Sequence, residues 1–175
     1  GYFLLAYNIF NYTTACKTCN SILKVNHFPV QAARNLNSED LTTLTAEKPL
    51  LIYPIGELDD DPEELITFEG VLPVPKFKRG ERYRRARVTI DLFELDTRED
   101  LLKARAGIIL SLWVALRLLQ TAGAATDDRI DAQKIVELAT SSASPHTNCA
   151  RAFSKLYEQN VVKARQYKER AVALA

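Results

Sequence analysis

The residues of this chain with the most evident chemistry lie between positions 16 and 24. Cys16 and Cys19 form a Cys-x-x-Cys pair, and Asn20 and Lys24 follow them. Thiolates at this spacing supply half of a tetrahedral zinc site, which needs two further ligands. If residues 17–26 form a helix, Cys16, Asn20 and Lys24 share one face, because positions four apart are neighbours. A thiol, an amide oxygen and an amine on one face suit a divalent cation beside a phosphate.

The sequence around this pair has a specific pattern. It consists of the aromatic stretch 2–12, which ends in Asn11-Tyr12, then residues 15–20, and then Lys24-x-Asn26-x-Phe28-Pro29. Later stretches continue it over residues 47–54, 59–65, 68–70, 87–90, 95–96 and 101–105. Together these residues resemble the bacterial HNH endonucleases, a family with a ββα-metal finger that occurs in anti-phage and restriction-type systems. The resemblance covers residues 2–106.

The resemblance implies a metal-dependent endonuclease that hydrolyses phosphodiester bonds in nucleic acid, with DNA as the expected substrate, in a bacterial defence system. It implies that Asn11 holds the metal loop in shape, that Asn20 binds a catalytic Mg²⁺ or Mn²⁺, and that Lys24 contacts a phosphate. It further implies a structural Zn²⁺ on Cys16 and Cys19, and an ATPase as a partner protein.

HNH enzymes carry the histidine that activates water on a strand before this segment, and we expect that strand and a second Cys-x-x-Cys upstream of Gly1. Asn8 and Phe10 stand where acidic residues are common in the family. Neither His27 nor His146 has the spacing of the catalytic histidine, so we expect this chain to be nearly inactive. The alternative function is a catalytically inactive HNH-derived module that binds nucleic acid, or a partner protein through its C-terminal helices.

Each of these residues also has a purely structural interpretation. Asn11 could form an Asx turn before the helix, and Asn20 and Lys24 could be solvated surface residues. Cys16 and Cys19 could be buried thiols on a short helix.

A second group of residues with functional chemistry is a cationic stretch. It contains Lys76, Lys78, Arg79, Arg82, Arg84, Arg85 and Arg87, with Phe77 and Tyr83 between them. Cations interleaved with aromatic rings suit contacts with phosphates and bases, so we expect Lys78, Arg82, Arg84 and Arg85 to bind nucleic acid. The alternative is a solvated arginine-rich hairpin loop. The net charge of +1 does not by itself indicate a nucleic-acid-binding protein.

The composition is that of a globular protein, with 47% hydrophobic and 26% charged residues. Three cysteines, two of them in one Cys-x-x-Cys, do not form a secreted disulfide framework, so we expect a cytoplasmic protein. The apolar run 106–119 is short and interrupted by polar residues, so we expect no membrane span. Trp113 lies on the apolar stripe of this run, which favours a core position for its ring.

Hydrophobic periodicity predicts an α+β fold in three regions. A partial ββα-metal finger is expected over 1–30, strands and loops with a basic hairpin over 31–96, and helices over 97–175. The individual predictions are a strand over 2–7, a helix from Ala15 to Pro29, a helix over Ser38–Leu44, a strand over Leu50–Tyr53, a turn capped by Asp61, a hairpin of 66–68 with 71–74, a strand over Arg87–Leu92, and helices over 97–123, from 127 and over 147–175.

Overall fold

The computed structural model describes residues 2, 4, 8–9, 14–38, 40–53 and 59–175. The strand predicted over 2–7 lies mostly outside this part of the chain, and Asn11 lies outside it. The fold is α+β, with many helices and a small two-stranded sheet. The chain forms two compact units. The N-terminal unit contains residues 1–66 and 75–94, and the helical unit contains residues 67–74 and 95–175.

Short helices make up most of the regular structure of the N-terminal unit. They are a π-helix over Thr18–Lys24, a 3-10 helix over Leu41–Glu47, α1 over Pro62–Leu65 and α2 over Glu81–Leu92. Leu51, Ile52, Leu65, Ala86 and Ile90 are buried in this unit. Asp61 caps α1 by accepting the Glu63 amide, which confirms the predicted cap with proline at the first helical position.

The strand predicted over Arg87–Leu92 is wrong, because these residues belong to α2. The prediction relies on the alternation of Val88, Ile90 and Leu92. The buried residues of this segment are Arg85, Ala86, Thr89 and Ile90, whose spacing follows a helix and not a strand. The cationic stretch is therefore a loop followed by a helix, and the expected basic hairpin does not form.

Two other predictions in the N-terminal unit need correction. The helix expected over Ser38–Leu44 begins later, as the 3-10 helix over Leu41–Glu47, because the Asp40 side chain accepts the Thr42 amide and caps it. The strand expected over Leu50–Tyr53 is not regular structure. An isolated bridge between Val30 and Pro49 lies next to it.

The predicted hairpin is confirmed as β1 (Ile66–Glu69) and β2 (Leu72–Pro75). Gly70 takes the left-handed backbone of the turn, with φ +64°. Its carbonyl accepts the Sγ–H of Cys149 over 3.4 Å, and the Val71 carbonyl accepts Nη1 of Arg105 over 3.2 Å. Side chains of the helical unit therefore hold the tip of the hairpin.

The helical unit consists of α3 (Glu99–Leu119), α4 (Thr126–Thr140), α5 (Thr147–Gln159) and α6 (Val161–Val172). Its apolar core contains Val71, Ala106, Ile109, Leu112, Leu116, Cys149, Ala150, Phe153, Tyr157, Ala164, Tyr167 and Ala171. The single helix predicted over 147–175 is two helices. Asn160 separates them with a non-helical backbone, and its side chain caps α6 by accepting the Lys163 amide over 2.9 Å. Within the described residues, no helix is long and apolar enough to cross a membrane.

Candidate functional site

Residues 76–84, here called the cationic segment, have a backbone that is fixed at both ends. The Lys76 amide donates to the Leu65 carbonyl over 2.9 Å, directly after β2. The segment then bends to Gly80, which has φ +90°, and α2 begins at Glu81. The side chains of the segment are therefore presented from a defined backbone.

Four cations of this segment are exposed, and no described carboxylate lies within ion-pair distance of them. They are Lys76, Lys78, Arg79 and Arg84. Exposed cations without an acidic neighbour keep their full attraction for an anionic ligand. Phe77, the aromatic residue between the lysines, is also exposed.

Arg82 is partly engaged. Its guanidinium lies 5.4 Å from the centre of the Phe77 ring and donates to Oδ1 of Asp60 over 3.3 Å. The Arg82 side chain is nevertheless 53% exposed. An ion pair with this exposure is weak, so an external phosphate can compete for the guanidinium.

Arg85 is buried and holds a carboxylate of its own unit. Its Nη1 donates to Oδ1 of Asp59 over 2.8 Å, and its Nη2 donates to Oδ2 of Asp59 and, over 3.3 Å, to the Leu51 carbonyl. The Arg85 side chain is 9% exposed and that of Asp59 is 14% exposed. This placement disfavours the predicted contact between Arg85 and nucleic acid, because the Arg85 guanidinium is already enclosed and paired with Asp59.

Asp59 is ionised at neutral pH. Burial opposes its ionisation, but hydrogen bonds from Arg85 and from the amides of Tyr53 and Asp60 outweigh burial and hold the pKa of Asp59 below its usual value. The hydrogen bonds of Arg85 therefore join Leu51 and Asp59 to the first turns of α2.

Cys16 and Cys19 form a turn suited to thiolates. The Cys19 amide donates to Sγ of Cys16 over 3.3 Å, and a hydrogen bond of this kind stabilises a charged sulfur. Cys16 is exposed and Cys19 is half-buried. No third His, Cys, Asp or Glu joins them in the part of the chain that the structure describes. These residues alone do not make a complete zinc site.

The helix that begins between the two thiols, at Thr18, is a π-helix and not the α-helix expected, and it has no buried residue. Its hydrogen bonds join residues five apart, such as the Val25 amide and the Asn20 carbonyl at 2.9 Å. Asn20 and Lys24, four apart, are therefore less closely aligned than on an α-helix. Asn20 is exposed, and the described residues provide it with no partner for a catalytic Mg²⁺ or Mn²⁺ site.

An open pocket of about 340 Å³ follows this helix, lined by Asn26, His27, Phe28, Pro29, Arg34 and Leu92. Arg34 is held in place by donating to the hydroxyl of Tyr2 over 2.9 Å and to the Phe28 carbonyl over 2.6 Å. The structure thus brings His27 near Arg34, and it does not place Asn20 or Lys24 in this pocket. No local sequence pattern points to Arg34.

The buried carboxylate of Glu47 shares the Tyr2 hydroxyl with Arg34. Glu47 accepts the Tyr2 hydroxyl and the Asn35 amide, each over 2.5 Å. Glu47 belongs to residues 47–54, one of the stretches that resemble HNH endonucleases, but the sequence assigns it no role. Its hydrogen bonds show that it fixes the backbone next to the pocket.

The remaining histidine and cysteine lie in the helical unit and are not exposed groups. Burial raises the pKa of the Cys149 thiol to about 12, so this thiol is unreactive at neutral pH. Burial also lowers the pKa of His146, with the positive charge of Arg105 acting in the same direction. His146 is therefore neutral at pH 7.

No family model, curated protein or solved structure matches this chain.

Proposed function

We propose that this chain is a nucleic-acid-binding protein of the HNH endonuclease type, and that the cationic segment contacts the phosphates. The observation that carries the proposal is the set of exposed cations without a described acidic neighbour on a fixed backbone, namely Lys76, Lys78, Arg79 and Arg84. Arg82 joins this set when a phosphate displaces Asp60.

Two properties favour a phosphate ligand over simple solvation. The segment starts at a backbone hydrogen bond and continues into α2, so binding costs less conformational entropy than it would in a free loop. An exposed aromatic ring, Phe77, lies among the cations. Cations that follow a phosphate backbone beside a ring for stacking are typical of surfaces that bind nucleic acid without sequence preference.

The test is the salt dependence of binding to duplex and single-stranded oligonucleotides, measured by fluorescence anisotropy between about 50 and 200 mM salt. We expect the triple variant Lys78→Ala, Arg79→Ala and Arg84→Ala to bind all sequences more weakly. The slope of log affinity against log salt should fall by about one for each phosphate that the variant no longer neutralises.

The matched control removes three exposed lysines of the helical unit, Lys103, Lys134 and Lys155, and leaves the same net charge. We expect this control to keep the slope of the original protein. Equal slopes in both triple variants would assign the cationic segment to solubility alone and overturn the proposal.

Phosphodiester hydrolysis is the second candidate activity, and the hydrogen bond from the Cys19 amide to Cys16 favours it, because this turn suits half of a structural metal site. The described residues do not complete that site, so we assign no hydrolytic step to them. The ATPase partner and the role in bacterial defence belong to the same proposal and rest on the sequence resemblance.

A plasmid-nicking assay with Mg²⁺ or Mn²⁺, with and without chelator, tests hydrolysis. We expect little nicking, because neither of the two histidines, His27 and His146, has the spacing of the catalytic histidine, and loss of a general base lowers the rate roughly a hundredfold to ten-thousandfold. Any nicking should disappear with chelator, fall strongly in Asn20→Ala and fall less in Lys24→Ala. Cleavage in the presence of chelator, or full activity of Asn20→Ala, would contradict the HNH assignment. The catalytically inactive binding module would then remain as the proposed function.

A further inference from the structure

An open groove of about 480 Å³ lies on the helical unit, where α3 packs on α6. Its lining is Trp113, Val114, Arg117, Leu118 and Thr121 from α3 and Arg165 from α6. The groove thus combines an apolar surface with positive charge, and the cationic segment contributes nothing to it.

The apolar part of the groove is aliphatic and open to solvent. Val114 is 64% exposed, and Leu118, one turn later on the same face of α3, is half-buried. Trp113 is half-buried and packs its ring edge-on against Tyr157, with 5.4 Å between the ring centres. An aliphatic side chain of a partner would bury Val114, at about 25 cal/mol per Å² of apolar surface removed from water.

The positive charge surrounds this apolar surface. The Arg117 guanidinium lies 6.0 Å from the centre of the Trp113 ring, and Nζ of Lys168 lies 5.8 Å from it. Within the described chain, Arg117, Arg165 and Lys168 form no ion pair with a carboxylate. Their charge is therefore available to an acidic ligand.

The same mixture continues along α6. Val161, Arg165, Lys168 and Val172 follow one another at steps of four, three and four residues, so they form one stripe. Both valines of this stripe are exposed. Apolar and cationic residues therefore share one face of α6 over its whole length, from Val161 to Val172.

We propose that this groove binds an acidic amphipathic helix of a partner protein. Aliphatic side chains of that helix, at i, i+3 or i+4 and i+7, pack on Val114 and Leu118. Its carboxylates pair with Arg117, Arg165 and Lys168. Nucleic acid fits less well, because it offers no aliphatic side chain to pack on Val114 and Leu118.

The test uses the only tryptophan of the chain, Trp113, as the reporter. The probe is a synthetic helical peptide with leucine on one stripe and glutamate elsewhere. One control peptide replaces each glutamate by glutamine, another replaces each leucine by serine, and oligothymidylate serves as the nucleic acid. We expect a saturable change in tryptophan emission with the leucine–glutamate peptide, and clearly weaker binding of both control peptides.

Two sets of variants locate the site. The double variant Arg117→Glu and Arg165→Glu should weaken binding of the leucine–glutamate peptide roughly tenfold or more, because opposite charges become like charges. The control Lys103→Glu and Lys134→Glu has the same net charge and should change affinity less than about twofold. Far-UV circular dichroism establishes that each variant is folded.

Val114→Ser separates the two ligand classes, because it removes the apolar contact and leaves every cation in place. It should weaken the leucine–glutamate peptide and leave oligothymidylate unaffected. Equal binding of the leucine–glutamate and serine peptides would show a site for polyanions only. Tighter binding of oligothymidylate with the same sensitivity to Arg117→Glu and Arg165→Glu would make the groove a nucleic-acid surface. Either result, or no saturable change in emission, would overturn the proposal.

Discussion

Replacing Arg85 by methionine should destabilise the protein without weakening its binding to nucleic acid. The substitution removes the guanidinium and keeps a long apolar side chain in the same space. Asp59 then remains as a carboxylate that is 14% exposed and has no ion-pair partner. Arg85 thus differs in role from its sequence neighbour Arg84, although both belong to the cationic stretch of the sequence.

The expected decrease is about 3 kcal/mol of unfolding free energy. Removing one member of a buried ion pair costs about 3–5 kcal/mol. The lower end applies, because Asp59 keeps the hydrogen bonds from the Tyr53 and Asp60 amides. The matched variant Arg82→Met breaks an ion pair whose arginine is 53% exposed, so it should cost less than about 1 kcal/mol.

The assay is urea unfolding followed by far-UV circular dichroism, together with hydrogen exchange of the Tyr53 amide. This amide donates to Asp59, so its exchange should accelerate in Arg85→Met. The pH dependence gives a further check. The pKa of Asp59 is below its ordinary 3.8, so its contribution is present above about pH 4 and disappears as the pH falls through the folded-state value. This decrease should be smaller in Arg85→Met.

Two results would refute this reasoning. One is an unfolding free energy of Arg85→Met within about 0.5 kcal/mol of the original, which is the range of ordinary surface substitutions. The other is a salt slope of binding that falls by about one in Arg85→Met, as expected for Arg84→Ala. The second result would show that the Arg85 guanidinium reaches a phosphate in the bound protein.

Three further predictions concern the hairpin turn, the thiols and the half-buried histidine His146. Gly70→Ala should lower the unfolding free energy more than Gly80→Ala. Both substitutions strain a left-handed backbone, but of the two only a Cβ at position 70 meets a side chain, the Tyr167 ring of α6 at 3.1 Å. Equal decreases in thermal stability would refute this contact. Cys16 should react with a thiol reagent in the native protein, and Cys149 only after unfolding; rapid native labelling of Cys149 would contradict its burial. The pKa of His146 is below its ordinary 6.5, so unfolding free energy should fall as the pH drops below about 6.5; His146→Gln should reduce this fall, and an unchanged profile would refute the assignment.

The sequence predicts those elements whose signals are local. The apolar residues of α3 recur at helical spacing over its whole length, and the structure has a helix there. Asp61 before Pro62 marks the start of α1, and Gly70 between two apolar runs marks the hairpin. Each signal depends on neighbours within a few residues, so it does not require knowledge of the tertiary structure.

The predictions that failed depend on distant partners. The residues next to Arg85 in sequence give no sign that it is buried. Asp59, the carboxylate that pairs with it, lies 26 residues away in sequence, so the local pattern predicts a surface cation. The burial of Arg85 also bears on α2, because Arg85 is the first of the buried residues whose spacing follows a helix. The sequence does not predict the surroundings of Trp113 either. Lys168 of α6 lies beside its ring only because α3 and α6 pack together.

The arrangement of the hairpin limits how this protein can be divided. The helical unit is not one continuous stretch of sequence, since it includes residues 67–74 as well as 95–175. A gene fragment that encodes only residues 95–175 would lack the Gly70 and Val71 carbonyls, leaving the buried Arg105 with one acceptor fewer. The helices are therefore not a transplantable module by themselves. A fusion or circular permutation that moves them to another protein must also carry the hairpin segment 67–74.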